Sequence, residues 1–263
     1  MKPLPLLLTL FACGGSDDDT DAPTSPTGTR TTTGTTTTTG TPTTEACVLT
    51  DVQPEVITVT TQDGVQLEAD RYAGMSGEPG FILLHMIPPS NTRADWPPNF
   101  ISRLTCHGWS VIAIDRRGAG GSEGTPQDSY NGELGKYDAY AAAAALTEIG
   151  ADGVVLIGAS NGTTTALDYT VAAPEQGWPE VRALGFMTGG TYTENQHAMS
   201  ALPDIPAVFT FSTAEASWSE AQQPLDPGSW SFLEYADGDH GTRMFDAKPK
   251  VKGDLEAFFL EAL

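Results

Sequence analysis

Gly158-Ala159-Ser160-Asn161-Gly162 sets a serine between two glycines directly after the apolar run Val154-Val155-Leu156-Ile157. A strand, then G-x-S-x-G, then a helix is the arrangement of a nucleophile elbow, a sharp turn that strains the serine backbone and exposes its hydroxyl. The glycines have a steric reason: residues two before and two after the serine pack against each other across the turn, and a Cβ at either place would widen it. An ordinary Gly-rich strand-to-helix turn would share the composition, so the order of strand, motif and helix carries the reading. A serine hydroxyl is a weak nucleophile near neutral pH and needs a base, a role suited to histidine because its pKa lies near the working pH. The chain has 4 histidines. His240 is the best placed of them, in a loop after the last strand-like segment, where Gly238 and Gly241 allow a tight turn. His107 precedes Gly108 at a helix end, where a cation complements the dipole and glycine supplies the stop. His197 reads as surface or site wall.

These groups need a frame. Val56 to Thr60 and Val65 to Ala69 alternate apolar with polar around Gln62-Asp63-Gly64, which predicts an antiparallel hairpin. Continuous apolar runs of strand length follow at Phe81 to Leu84, Val111 to Ile114, Val154 to Ile157, Ala183 to Met187 and Ala207 to Phe211. Helix-like segments lie between them, at Pro98 to Cys106, Asp138 to Ile149 and Thr163 to Ala173. The alternation predicts an α/β fold, a mostly parallel sheet with helices on both faces. Trp230 to Tyr235 reads as a further strand, and Val251 to Leu263 as an amphipathic helix with Leu255, Phe258, Phe259 and Ala262 on its inner stripe.

Four landmarks in order carry a resemblance: His85-Met86-Ile87-Pro88 after the first parallel strand, Asp115 to Ser122 (DRRGAGGS) after the next, the elbow, and Asp239-His240-Gly241 near the end. From about Val56 to Leu263 the chain resembles the α/β-hydrolase fold, in its lipase, esterase and dienelactone-hydrolase-like branch. Many relatives carry a second glycine where this chain has Thr163. The resemblance implies Ser160 as nucleophile and His240 as base. It also implies an acid in the loop after the strand that begins at Pro206, at the ninth position beyond that proline, which is Glu215. Glu194, one strand earlier, is the substitute; Asp237 and Asp239 read as turn formers. For the oxyanion of acyl transfer it implies the backbone N–H groups of Asn161 and of Ile87, with Met86 as the alternative, since Pro88 has none. His85 and Met86 are expected at the substrate-binding segment, His85 shaping the loop by hydrogen bonding. The short stretch between Met187 and Ala207 leaves no room for a large cap domain, so an open site is expected, with Trp96, Trp218 and Trp230 as candidates for an aromatic wall.

Residues 1–45 stand apart. A short positive start and the apolar Pro3 to Ala12 end in Leu10-Phe11-Ala12-Cys13, which resembles the lipobox of bacterial lipoproteins, implying a signal peptide over 1–12 and a lipid on Cys13. A Thr/Gly/Pro/Asp-rich tether over 13–46 has too few apolar residues to offset the entropy of ordering. The domain is expected over 47–263. Cys47 and Cys106 then form an even pair in a chain bound for an oxidising compartment, where a disulfide between them is expected.

A net charge of -21, from 34 acidic and 13 basic residues, excludes a nucleic-acid partner, because neutralising phosphates takes clustered Lys and Arg. The one dense basic run, Lys248 to Lys252, reads as a solvated face. No metal-ligand spacing is present in the sequence and no cofactor is expected. The expectation is an exported, membrane-anchored serine hydrolase of the bacterial cell envelope acting on ester-type small-molecule or lipid substrates, with no obligate protein partner. Two other readings stay open, a serine peptidase or amidase of the same fold and a non-catalytic lipoprotein that uses the fold as a binding module.

Overall fold

The computed structural model describes Leu49 and residues 52–130, 133–193 and 195–263, which fall within the unit Thr44–Leu263. The expected signal, tether, Cys13, Cys47 and Glu194 lie outside the described residues. The chain order is β1 (Glu55–Thr60), β2 (Gln66–Tyr72), β3 (Gly80–Leu84), α1 (Pro98–Thr105), β4 (Ser110–Ile114), α2 (Pro126–Tyr130), α3 (Gly135–Glu148), β5 (Val154–Ala159), α4 (Gly162–Gln176), β6 (Val181–Met187), β7 (Ala207–Ser212), α5 (Ser217–Glu220), β8 (Trp230–Tyr235), α6 (Met244–Ala247) and α7 (Lys250–Ala262). Together they are the α/β-hydrolase fold.

The eight strands form one sheet in the order β1-β2-β4-β3-β5-β6-β7-β8. β1 and β2 pair antiparallel from Glu55↔Arg71 to Thr60↔Gln66, and β2 joins β4 antiparallel; every other neighbour is parallel. Every residue of β3, β4, β5 and β7 is buried, which is why these strands read as unbroken apolar runs rather than alternating ones. Apolar side chains above and below the sheet make two clusters, one under α3 and α4 and one under α1, α6 and α7. Between β6 and β7 the described chain holds only a single 3-10 turn, Met199–Ala201, so no large cap covers the carboxyl ends of the strands.

Two expectations about α7 and its approach change. The inner stripe is Val251, Leu255 and Phe259, all fully buried, with Phe258 packed at its margin and Ala262 half-exposed. Lys252 is not on a solvated face: it is buried, its Nζ donates to the Phe245 carbonyl at 3.1 Å, and it lies 5.7 Å from that ring. The alkyl stem packs while the ammonium finds a carbonyl and a π-face, so one lysine of a basic run can be interior. Among the described residues no helix is long and apolar enough to cross a membrane.

Candidate active site

The elbow forms where β5 meets α4. Ser160 has φ 49°, a left-handed conformation that a side-chain-bearing residue adopts at a cost, and its N–H is fixed by the Met187 carbonyl at 2.8 Å. A Cβ on Gly158 would come within 2.6 Å of the Gly162 carbonyl group, and one on Gly162 within 2.2 Å of the Leu84 carbonyl oxygen at the end of β3. Thr163, where many relatives carry glycine, is buried with its Oγ1 donating to the Ser160 carbonyl at 2.8 Å, so its hydroxyl is absorbed by the turn.

Ser160, His240 and Glu215 come together in one hydrogen-bonded array. Ser160 Oγ lies 2.7 Å from His240 Nε2, and His240 Nδ1 lies 2.9 and 3.0 Å from Oε1 and Oε2 of Glu215. With Nδ1–H donating to the carboxylate, Nε2 presents its lone pair to the serine hydroxyl. Glu215 stands in the single 3-10 turn Thr213–Glu215 that follows β7, and His240 follows β8. The histidine loop is bent by Asp237 and Asp239 at φ 53° and 60°, which act as turn formers.

Thr188, the residue after β6, ties the histidine loop down. It too has a positive φ, 48°, and its Oγ1 accepts the Gly241 N–H at 3.0 Å. Its carbonyl accepts the hydroxyl of Tyr192 at 2.7 Å, and the Tyr192 ring lies over Gly190, where a Cβ would be 2.7 Å away. Burial pushes the Tyr192 phenol above its ordinary pKa, and the Glu215 charge acts in the same direction. This tyrosine was not among the residues singled out from the sequence, because nothing in its local pattern separates it from any loop aromatic.

Asn161 heads α4, so its N–H belongs to the first turn, where amides have no intrahelical carbonyl. Ile87 stands in the loop after β3, exposed, with its carbonyl held by Asn91 Nδ2 at 2.8 Å. Of the two residues expected at the substrate-binding segment, His85 is fully buried, and Met86, nearly so, packs against Gly241 beside His240. His85 Nδ1 lies 2.7 Å from the Met86 carbonyl oxygen and Nε2 accepts the Arg116 N–H at 2.9 Å. Burial, reinforced by the Arg116 charge, holds its pKa down to about 3, so the ring is neutral with its proton on Nδ1.

The aromatic wall also needs correction. Trp96 is 2% exposed and packs against Phe100 and Phe245, so it is core. Trp230 is half-buried beside Phe209, and Trp218 covers Gly189, where a Cβ would meet its ring at 2.2 Å. His107 takes Glu256 at 2.7 Å and His197 takes the buried Asp168 at 2.7 Å, both away from the serine. Among the described residues Cys106, His107 and Glu256 form the one group of metal-type ligands. Its carboxylate is already held by Arg103 and His107. The DRRGAGGS run is a turn closed on Asp115, which accepts the N–H groups of Arg93 and Gly121.

A recess of about 370 Å³ lies beside the site, lined by Met86, Asn91, Asp95, Thr242 and Arg243 among others. A larger one, about 460 Å³, opens at the amino ends of β3, β5, β6 and β7, on the far side of the sheet from Ser160.

Residues 79–240 match the alpha/beta hydrolase fold family, and the chain belongs to it. Solved structures agree in fold. An esterase of Pyrococcus furiosus superposes with a TM-score of 0.64 at 16% identity over 80% of this chain and 91% of that one. A Rhodococcus esterase gives 0.62 at 15%, covering 79% of this chain and 99% of that one. A dienelactone hydrolase of Anabaena variabilis gives 0.63 at 17%, over 81% and 100%. No curated protein matches the sequence.

Proposed function

We propose that the chain is a serine hydrolase that cleaves carboxylic esters through an acyl-enzyme. The observation that carries this is the imidazole of His240, which bridges Ser160 Oγ at 2.7 Å and the Glu215 carboxylate at 2.9 Å. In the first half-reaction Ser160 Oγ bonds to the ester carbonyl carbon while its proton passes to His240 Nε2, and Glu215 stabilises the imidazolium and keeps the ring oriented. The carbonyl oxygen becomes an oxyanion held by the N–H groups of Asn161 and Ile87. Collapse breaks the bond to the leaving alcohol, which takes the proton back from Nε2. A water molecule, deprotonated by the same nitrogen, then attacks the acyl-serine, and the acid leaves as Ser160 recovers its proton. Esters are favoured over amides by the esterases among the structural neighbours. The protein is exported and held to the membrane of a bacterial envelope by lipid on Cys13, with Cys47 bonded to Cys106; the lipobox-like Leu10 to Cys13 and the even cysteine pair support this.

The test is hydrolysis of a short and a long p-nitrophenyl ester by the full chain, with fluorophosphonate labelling of the active serine. Turnover and labelling are expected for the parent, and Glu215→Gln should lower kcat by about 10²–10⁴-fold, since a neutral amide neither stabilises the imidazolium nor sets its tautomer. A folded parent that neither turns over nor labels overturns the reading and leaves a binding protein.

A further inference from the structure

Two arginines follow β4, and the mechanism uses neither. Arg117 is conventional for a buried cation: its Nε pairs with Asp138 at 2.7 Å and its Nη1 with Asp63 at 2.7 Å. Arg116 is fully buried and every polar contact of its guanidinium is to a neutral acceptor. Nη1 donates to the carbonyls of His85 at 3.2 Å and Met86 at 3.5 Å and to Asn161 Oδ1 at 3.0 Å. Nη2 donates to the Ser129 carbonyl and to Thr165 Oγ1, both at 2.9 Å, and among the described residues Nε finds no partner. Burial pushes its pKa down to about 10, which still leaves the group charged at neutral pH. Desolvating a cation is costly, and the one carboxylate whose charge favours it, Asp138, is hydrogen-bonded to Arg117, so Arg116 has no ion-pair partner of its own.

The partners explain the placement. A trans peptide is planar with its C=O and N–H antiparallel, so a donor that fixes the Met86 carbonyl also aims the Ile87 N–H the opposite way. The His85 carbonyl and the Met86 N–H are related likewise. His85 adds a second tie to the Met86 carbonyl through Nδ1–H, and its tautomer is set by the Arg116 backbone N–H. On the other side the guanidinium grips the side chain of Asn161, whose own N–H is the second oxyanion donor. A cation on the carbonyl end of a peptide also polarises it, making its N–H a stronger donor.

Resting on the hydrolase reading above, we propose that Arg116 is a positioning residue of the oxyanion hole, one guanidinium clamping the loop after β3 to the elbow after β5 so that their two N–H groups converge. Arg116→Met and Arg116→Lys in the full chain test this, through ester kinetics, inhibition by a trifluoromethyl ketone and hydrogen exchange. The ketone's hemiketal oxyanion occupies the hole. For Arg116→Met we expect kcat about 10–100-fold lower, a fraction of what losing an oxyanion donor outright costs. KM should stay within about threefold and ketone affinity should fall by the same factor as kcat/KM, the pattern of an interaction made in the transition state. Arg116→Lys, able to reach fewer acceptors, should fall between. Parental kcat and ketone affinity in a folded Arg116→Met overturn the proposal. If that variant does not fold, the lysine variant decides on the same criterion. Exchange of the segments 85–91 and 160–163 should be faster in the variant whether or not the parent hydrolyses esters. Unchanged exchange overturns the clamp even where the hydrolase reading has failed by its own test.

Discussion

The carboxyl-end rim of the sheet and its two packed faces are built on opposite terms. At the rim, Ser160, Thr188, Asp237 and Asp239 all hold left-handed backbone angles, and polar side chains are spent on one another. On the faces, β3 to β5 and β7 are buried throughout, and rings such as Phe259 against Phe81, 5.2 Å apart edge to face, fill the space. Strained conformations persist only where the surroundings over-determine them, and the rigid sheet is what over-determines the rim. Arg116 and Arg117 mark the boundary: one turns to the rim's peptide groups, the other to carboxylates beneath the turn.

If this division holds, rate and stability should separate by region. The largest effect belongs to Ser160→Ala, which should lower kcat about 10⁴–10⁶-fold while the thermal midpoint of the pure protein does not fall. Phe259→Ala should do the reverse: urea titration should show a loss of about 3–5 kcal/mol, with kcat per folded molecule unchanged. Asp138→Ala, which leaves Arg117 half-partnered in the interior, should cost about 3 kcal/mol and again spare kcat; a fall in kcat larger than the fall in folded fraction would blur the boundary drawn here. The smallest effect, read between pH 7 and 5, is one of pH. His85 is neutral in the folded protein down to about pH 3 but protonates near 6.5 when unfolded, so the unfolded state binds the extra proton between those values. Stability should therefore decline as pH falls through that window, by at most about 1.4 kcal/mol per pH unit from this group. Urea midpoints at pH 7, 6 and 5 should show a shallower decline in His85→Gln than in the parent.

Much of this division was legible in the residues. Val154 to Ile157 followed by G-x-S-x-G announces strand, elbow and helix because sterics leave few alternatives, and a strand buried on both faces has to be apolar throughout. Glu215 was legible only through the family resemblance, since a single glutamate after a strand looks like any surface acid. The Trp96 and Lys252 misreadings share a cause: residue type reports polarity, while position in the fold decides which part of an amphipathic side chain is covered. Arg116 is the extreme case. Nothing in two consecutive arginines beside a Gly-rich turn marks the first of them as interior, and only the closeness of the β3 and β5 loops gives it carbonyls to bind.

The bond from His240 to Ser160 spans 80 residues of sequence, and His240 follows β8, the strand at one edge of the sheet. During synthesis the elbow can therefore be complete while the base that would activate it is still unmade. On the mechanism proposed above, reactivity arrives with the last strand, so a chain caught partway through folding carries a serine without the means to use it.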